Sequence, residues 1–313
     1  MDPIADEVVF SLEDTEYRWR DVVRAAQFWG DWAEVERRTA QGIACRRRLD
    51  DSGEEIAPDD LEAAGNAWRY DRNLLAADEL EVWLDERGVD PQGWMEYLRR
   101  VLLRDRWAAD LDEIERRYPA RANEIAAFIM VEATCSGTLD TLAAKLAGRA
   151  AASTPGAADP ARLEHGYTRF VDSVTTPGAL QREVDRRALE WTRLECRTVA
   201  LAREQVAREV SLLVLEDGMD LSEAAAEAGV RVRTQEWFLE DAETPLRDHL
   251  LGAQPGQLIG PVPAEDGFAL LAIDRRIPPS LEDGAVRARA ERVVVEAAVE
   301  AEIGKRVRWR RHG

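Results

Sequence analysis

Residues 255–276 read Pro-Gly-Gln-Leu-Ile-Gly-Pro-Val-Pro-Ala-Glu-Asp-Gly-Phe-Ala-Leu-Leu-Ala-Ile-Asp-Arg-Arg. Two apolar runs, residues 258–262 and 268–273, flank the turn formers of 263–267, which close on Asp-Gly, so the pattern predicts a β-hairpin. The second run is apolar without interruption, as in a strand covered on both faces. Gly260-Pro261 inside the first strand predicts an edge position or a bulge, because proline has no N–H to give to a ladder.

Upstream, residues 194–201 suit a first strand. Residues 203–216 carry Val206, Val210, Leu213 and Val214 on one helical face, closed by Gly218. Asp220 and Glu223 open a shorter helix holding Leu221, Ala224, Ala225 and Ala228, closed by Gly229. A strand over 230–239 and a helix over 244–251 lead into the hairpin. The predicted order is strand, helix, helix, strand, helix, strand, strand.

Pro255-Gly256, Gly260-Pro261-Val262 and Gly267-Phe268 resemble the end of a parvulin-type prolyl isomerase domain. That resemblance implies a small domain with a four-stranded sheet and a peptide cleft. A prolyl isomerase lowers a barrier of about 18–20 kcal/mol without a covalent intermediate. Active members of the family place one histidine in the first strand, another just after the glycine–aromatic pair, and a cysteine or aspartate nearby. Here Ala269 follows Gly267-Phe268, Cys196 lies near the other histidine position, and the three histidines, His165, His249 and His312, fall at neither. The family's glycine-rich segment is also missing, since Val230 runs almost directly to Trp237-Phe238. The resemblance therefore implies an isomerase-shaped cradle without its polar network.

The residues expected to contact a peptide are Cys196, Trp237, Phe238, Leu258, Phe268 and Ala269. Each has a plainer reading. Cys196 is a polar group at the cleft or a small buried hydrophobe; Trp237 and Phe238 are groove walls or core; Phe268 faces a proline pocket or simply packs.

Residues 11–118 read as a string of helices. Asp31 with Glu34 has the form of a capping box. Leu61, Ala64 and Trp68 share one helical face, and Leu80, Trp83 and Leu84 another, ended by Gly88. Asp90-Pro91 starts a helix in the order cap then proline, with Trp94, Leu98, Val101 and Leu102 inward. The block from 56 to 107 resembles the N-terminal chaperone segment of SurA-like parvulin proteins. It is most similar to a cytosolic bacterial subgroup associated with ribosomally made, post-translationally modified peptides. An alanine-rich helix is expected over 119–150, a linker over 151–160, a helix from Asp159-Pro160 and another over 179–191. After Pro278-Pro279 a long helix carries Val286, Val293, Val294 and Ala297. Arg46-Arg47-Arg48 and Arg308 to Arg311 read as solvated faces or a frayed end, and most of the ten tryptophans as core.

With 313 residues the chain has room for two domains, and a hydrophobic share of 45% suits a globular protein. A formal charge of −19 argues against nucleic acid or an anionic membrane as the main partner. Cys45, Cys135 and Cys196 form neither a disulfide framework nor a zinc motif. The acidic start lacks the pattern of a signal peptide, so a cytoplasmic location is expected. No nucleotide, metal or activated-serine motif appears, and no cofactor is expected.

The expected fold class is α+β: a mostly helical SurA-like chaperone domain at 1–190, a parvulin-like domain with a four-stranded sheet at 191–277, and a C-terminal helix over 278–313 returning to the helical domain. The expected function is binding of a peptide or unfolded polypeptide segment, a precursor peptide and its modifying enzymes among the candidate partners. The alternatives are an active prolyl isomerase with an altered site and a non-catalytic scaffold.

Overall fold

The structure, a computed structural model, describes residues 6–153, 158–242, 244–264 and 267–310. The fold is α+β, mostly helical with two small antiparallel sheets. It divides into two compact units. Unit 1 comprises residues 1–171 and 298–313, and unit 2 comprises residues 172–297. Boundaries at 190 and 277 were expected; in the structure helices on either side of the four-stranded sheet pack with it.

Unit 1 begins with β1 (Val8–Leu12) and β2 (Thr15–Arg18), a hairpin where helix was expected. Its two-residue turn places Glu13 at φ 53°, without the glycine or proline that would have marked it in the sequence. Helices α1 (Trp19–Trp29), α2 (Trp32–Ser52), α3 (Pro58–Asp71), α4 (Ala77–Glu86), α5 (Pro91–Arg106), α6 (Leu111–Arg117), α7 (Ala122–Cys135) and α8 (Thr138–Ala152) follow, then α9 (Pro160–Val174). The expected helix over 119–150 is broken at Ser136-Gly137, with Gly137 at φ 75°. Asp31 does not cap α2. It sits in helical conformation with its carboxylate 2.5 Å from the Lys145 ammonium, and Glu34 binds Arg37 and Arg38 instead. Asp90 does cap α5, accepting from the Gly93 N–H at 2.5 Å. That helix turns Trp94, Tyr97, Leu98, Arg100 and Leu103 inward, while Val101 and Leu102 are only half-buried. Residues 154–157 of the expected linker lie outside the described residues.

Two features hold unit 1 together. Trp68 meets Trp83 and Trp94 edge-on at 4.9 and 5.6 Å, and its indole N–H donates to the Cys135 carbonyl at 2.8 Å. Deeper lies Glu132, 1% exposed, accepting from Arg104 at 2.7 Å and Arg100 at 3.3 Å. Gly42 of α2 leaves the space that the Arg100 stem fills, since a Cβ there would lie 2.8 Å from Arg100 Cδ. The basic run at 46–48 is structural: Arg47 clasps Glu124, Arg46 pairs with Asp50, and Arg48 lies 4.3 Å over the Trp107 ring.

Unit 2 holds α10 (Pro177–Arg186), β3 (Arg193–Leu201), α11 (Glu204–Leu215), α12 (Leu221–Glu227), β4 (Arg233–Phe238), α13 (Thr244–Leu251), β5 (Leu258–Ala264), β6 (Gly267–Ile277) and most of α14 (Gly284–Arg306). The order from β3 to β6 is the one the parvulin resemblance implies. The sheet runs β4-β3-β6-β5, all antiparallel. The hairpin pairs Ile259 with Leu271 and Val262 with Ala269. Pro261 lies on an edge strand at a register shift, where its missing N–H costs no ladder bond. The pairing extends to Ala264 opposite Gly267, so the strands outrun the expected ends; Glu265 and Asp266 lie outside the described residues.

Period-two alternation sorts β6 onto two cores. Leu270, with Phe268 and Ala272, packs under α11 and α12. Leu271 and Ile273 face the other way, with Leu194, Cys196, Leu239 and Leu250. A third cluster joins Leu180, Val184 and Trp191 to Val286 and Ala290 of α14, with Phe238 and Val293 at its margin. The far end of α14 belongs to unit 1, where Val299 and Ile303 approach Gly148 and Arg306 donates to the Ala151 carbonyl. There β7 (Val307–Trp309) pairs with β1, Phe10 opposite Trp309, so the basic run at 308–311 is in part a strand.

Among the described residues no single helix is long and apolar enough to cross a membrane. All three cysteines are buried and unpaired, and burial pushes their thiols up to about 11 for Cys45, about 12 for Cys135 and about 11 for Cys196. The native protein is therefore expected to leave a thiol-reactive disulfide reagent unconsumed at pH 8, and to titrate three thiols after denaturation. Rapid native labelling of Cys196 would show an exposure that the fold denies.

Candidate functional site

The face of the unit 2 sheet turned away from α11 and α12 carries a groove of about 500 Å³. β4 forms its side. Antiparallel pairing sets Thr198 opposite Arg233, Cys196 opposite Gln235 and Leu194 opposite Trp237, so Arg233, Gln235 and Trp237 share the face. Ala200, Ala269 and Leu271 make an apolar floor, and Trp237 with Leu246 of α13 the walls. The rim is polar: the Thr198 hydroxyl donates to Gln235 Oε1 at 3.1 Å, and Arg231 and Arg233 project beside them.

The six residues singled out in the sequence separate. Trp237 and Ala269 line the groove. Cys196 is fully buried in the core beneath the same face. Leu258 and Phe268 pack on the opposite face with α11 and α12, because their strand positions have the other parity. Phe238, one residue on from Trp237, points away from the groove, where the Arg289 guanidinium stacks on its ring at 4.1 Å. The sequence reading passed over other residues of the lining, among them Thr198, Ala200, Arg231, Arg233, Gln235 and Leu271. Counting in twos from Ala269 reaches Leu271, and counting in twos from Cys196 reaches Thr198 and Ala200, so strand parity was the signal available.

Among the described residues, the ionisable side chains lining the groove are those of Arg231 and Arg233. It contains no histidine, and among the described residues no group of three or more His, Cys, Asp or Glu could hold a metal. A cluster of ion pairs lies on the other side of the sheet. Asp220 caps α12 through the Ser222 N–H and accepts from Arg197 at 2.8 Å, and the Arg197 guanidinium holds its carboxyl down at about 2. Arg197 also reaches Asp274 on β6 at 3.1 Å, so this cluster ties helix to sheet. The arrangement can hold an extended apolar segment and supply hydrogen bonds at its rim.

No family model and no curated protein matches the chain. Solved structures to which it is similar include one of the SurA-like chaperones of Campylobacter jejuni, at 7% identity over 98% of this chain and 100% of that one, with a TM-score of 0.21. Others are PrsA peptidylprolyl isomerases. That of Bacillus anthracis shows 10% identity over 72% of this chain and 93% of that one, with a TM-score of 0.29. That of Bacillus cereus shows 12% identity over 81% and 87%, with a TM-score of 0.30. TM-scores this low support no inference about activity.

Proposed function

We propose that the chain is a chaperone-like, peptide-binding protein whose parvulin-like unit holds an extended polypeptide segment without catalysing its isomerisation. The observation that carries this reading is the open groove itself. It has an apolar floor from Ala269 and Leu271, an aromatic wall from Trp237, and beside it β4, whose outer edge is unpaired in the sheet order. An extended peptide can use both the edge backbone and the floor. Among the described residues that line it, no imidazole or thiol stands where an isomerase would aim polar groups at the twisted amide.

The test is fluorescence anisotropy of a labelled proline-containing peptide. Saturable binding by the native chain, weakened about tenfold or more in Trp237→Ala, is expected, because an aromatic wall residue carries a large share of the affinity of such a contact. A protease-coupled proline assay should show no acceleration over the uncatalysed rate. Acceleration lost in Trp237→Ala would make the chain an isomerase with an altered site, and absence of binding at millimolar peptide would leave only the scaffold reading. The finer reading, a precursor peptide on its way to modifying enzymes in the cytoplasm, draws its support from the sequence resemblance of residues 56–107 and from the three free thiols.

A further inference from the structure

We infer that the groove selects acidic peptides. The bound segment places an aspartate or glutamate carboxylate against Arg231 and Arg233 and an apolar side chain against Trp237. This rests on the peptide-binding reading above and names the ligand class within it.

The inference begins with how unit 2 disposes of its cations. On the sheet and α14, Arg193 pairs with Glu236 and Asp283, Arg197 with Asp220 and Asp274, Arg275 with Glu195, and Arg289 with Glu240 and Asp241, while Arg276 and Arg287 donate to backbone carbonyls instead. Among the described residues Arg231 and Arg233 are in no such pair, and no carboxylate lines their groove. An isolated exposed arginine is usually just hydrated. These two stand side by side at the rim of a cavity with an apolar floor. They do so in a chain with 61 acidic and 42 basic residues, where an internal counter-charge would be easy to supply. The groove is thus locally positive on a molecule of formal charge −19. That contrast favours a carboxylate-bearing ligand and disfavours a basic one.

Spacing adds a constraint. Arg233 and Trp237 lie on one face of β4, four residues apart, which is about 13 Å along a strand. A peptide strand running beside β4 meets both when its acidic and apolar residues are also about four positions apart. Guanidinium–carboxylate contacts at an exposed rim are charge-assisted but screened, so the preference must fall as salt rises.

Three short labelled peptides test this. Each carries a central Phe-Pro pair in an alanine–serine background and differs only at the positions four residues before and after the phenylalanine, which hold Glu, Gln or Lys. Affinities are measured by anisotropy in low and high sodium chloride, for the native chain and for the doubly substituted Arg231→Ala/Arg233→Ala chain. Both arginines are exposed, so circular dichroism should confirm an unchanged fold. The Glu peptide is expected to bind the native chain about fivefold or more tighter than the Gln peptide, with the Lys peptide weakest. The gap between the Glu and Gln peptides should close in high salt and in the double variant. Equal affinities for Glu and Gln peptides, or a preference that survives in the double variant, overturn the acidic selection and leave the groove reading standing. No binding of any of the three overturns both.

Discussion

Replacing Glu132 by alanine is expected to destabilise the protein by about 3–5 kcal/mol, the usual cost of removing one member of a buried ion cluster. The carboxylate is 1% exposed and answers two guanidiniums, Arg100 at 3% and Arg104 at 14% side-chain exposure. Burial already lowers the pKa of Arg100, the direction expected when the charged form is held out of water. Its Nε has no hydrogen-bond partner among the described residues, so Glu132 and the Phe128 ring, 4.8 Å from the guanidinium carbon, supply most of its compensation. Without the carboxylate both cations lose their direct ion-pair partner, and Glu96, which also acts on Arg100, is not hydrogen-bonded to it. Chemical denaturation of Glu132→Ala should show the loss, and Arg100→Met in the same background should recover part of it by removing the orphaned charge. A loss below about 1 kcal/mol would mean that water reaches the cluster.

Gly267→Ala is the second large effect, expected at about 2–4 kcal/mol. Gly267 has φ 130°, and a Cβ built on it would lie 2.5 Å from the Leu201 carbonyl oxygen and 3.0 Å from Ala202 Cα. Both obstacles are backbone, so β6 itself must move away from β3, and strain of torsion adds to strain of packing. Gly256→Ala separates the two terms: φ there is 88°, and nothing lies within 4 Å of the added carbon. It should cost only the torsional part, about 1 kcal/mol. Hydrogen exchange of the β6 amides reports the difference locally. Equal losses at the two positions would sink the account of the Gly-Phe pair as a close strand approach.

The hairpin was legible because turn chemistry and apolar runs agreed. Gly260-Pro261 belonged on an edge, and it is there. A helix start was legible where a capping side chain precedes proline, at Asp90-Pro91; the same signal at Thr176-Pro177 was passed over in favour of a helix over 179–191, although Thr176 Oγ1 accepts from the Ala179 N–H at 3.3 Å. The sheet of β1, β2 and β7 was not, because one of its strands is three residues long and lies nearly three hundred positions from its partner. Glu132 gave no local sign either; a lone acid in an apolar helix discloses its role only through Arg100 and Arg104. The lining of the groove was legible only in part. Trp237 was singled out as a groove wall and Ala269 as the residue after the Gly267-Phe268 pair, while Phe268 and Leu258 turn to the opposite face. A family signature marks positions along a chain, and only strand parity says which way each one looks.

The division of unit 1 between residues 1–171 and 298–313 has a consequence for biosynthesis. A ribosome adding roughly 5–20 residues per second takes on the order of ten seconds to make the stretch between them. Through that interval the nascent β1 has β2 on one side and an open edge on the other, with Phe10 beside it and Trp309 not yet made. Unit 2, continuous in the chain, has all its strands at hand before unit 1 can close.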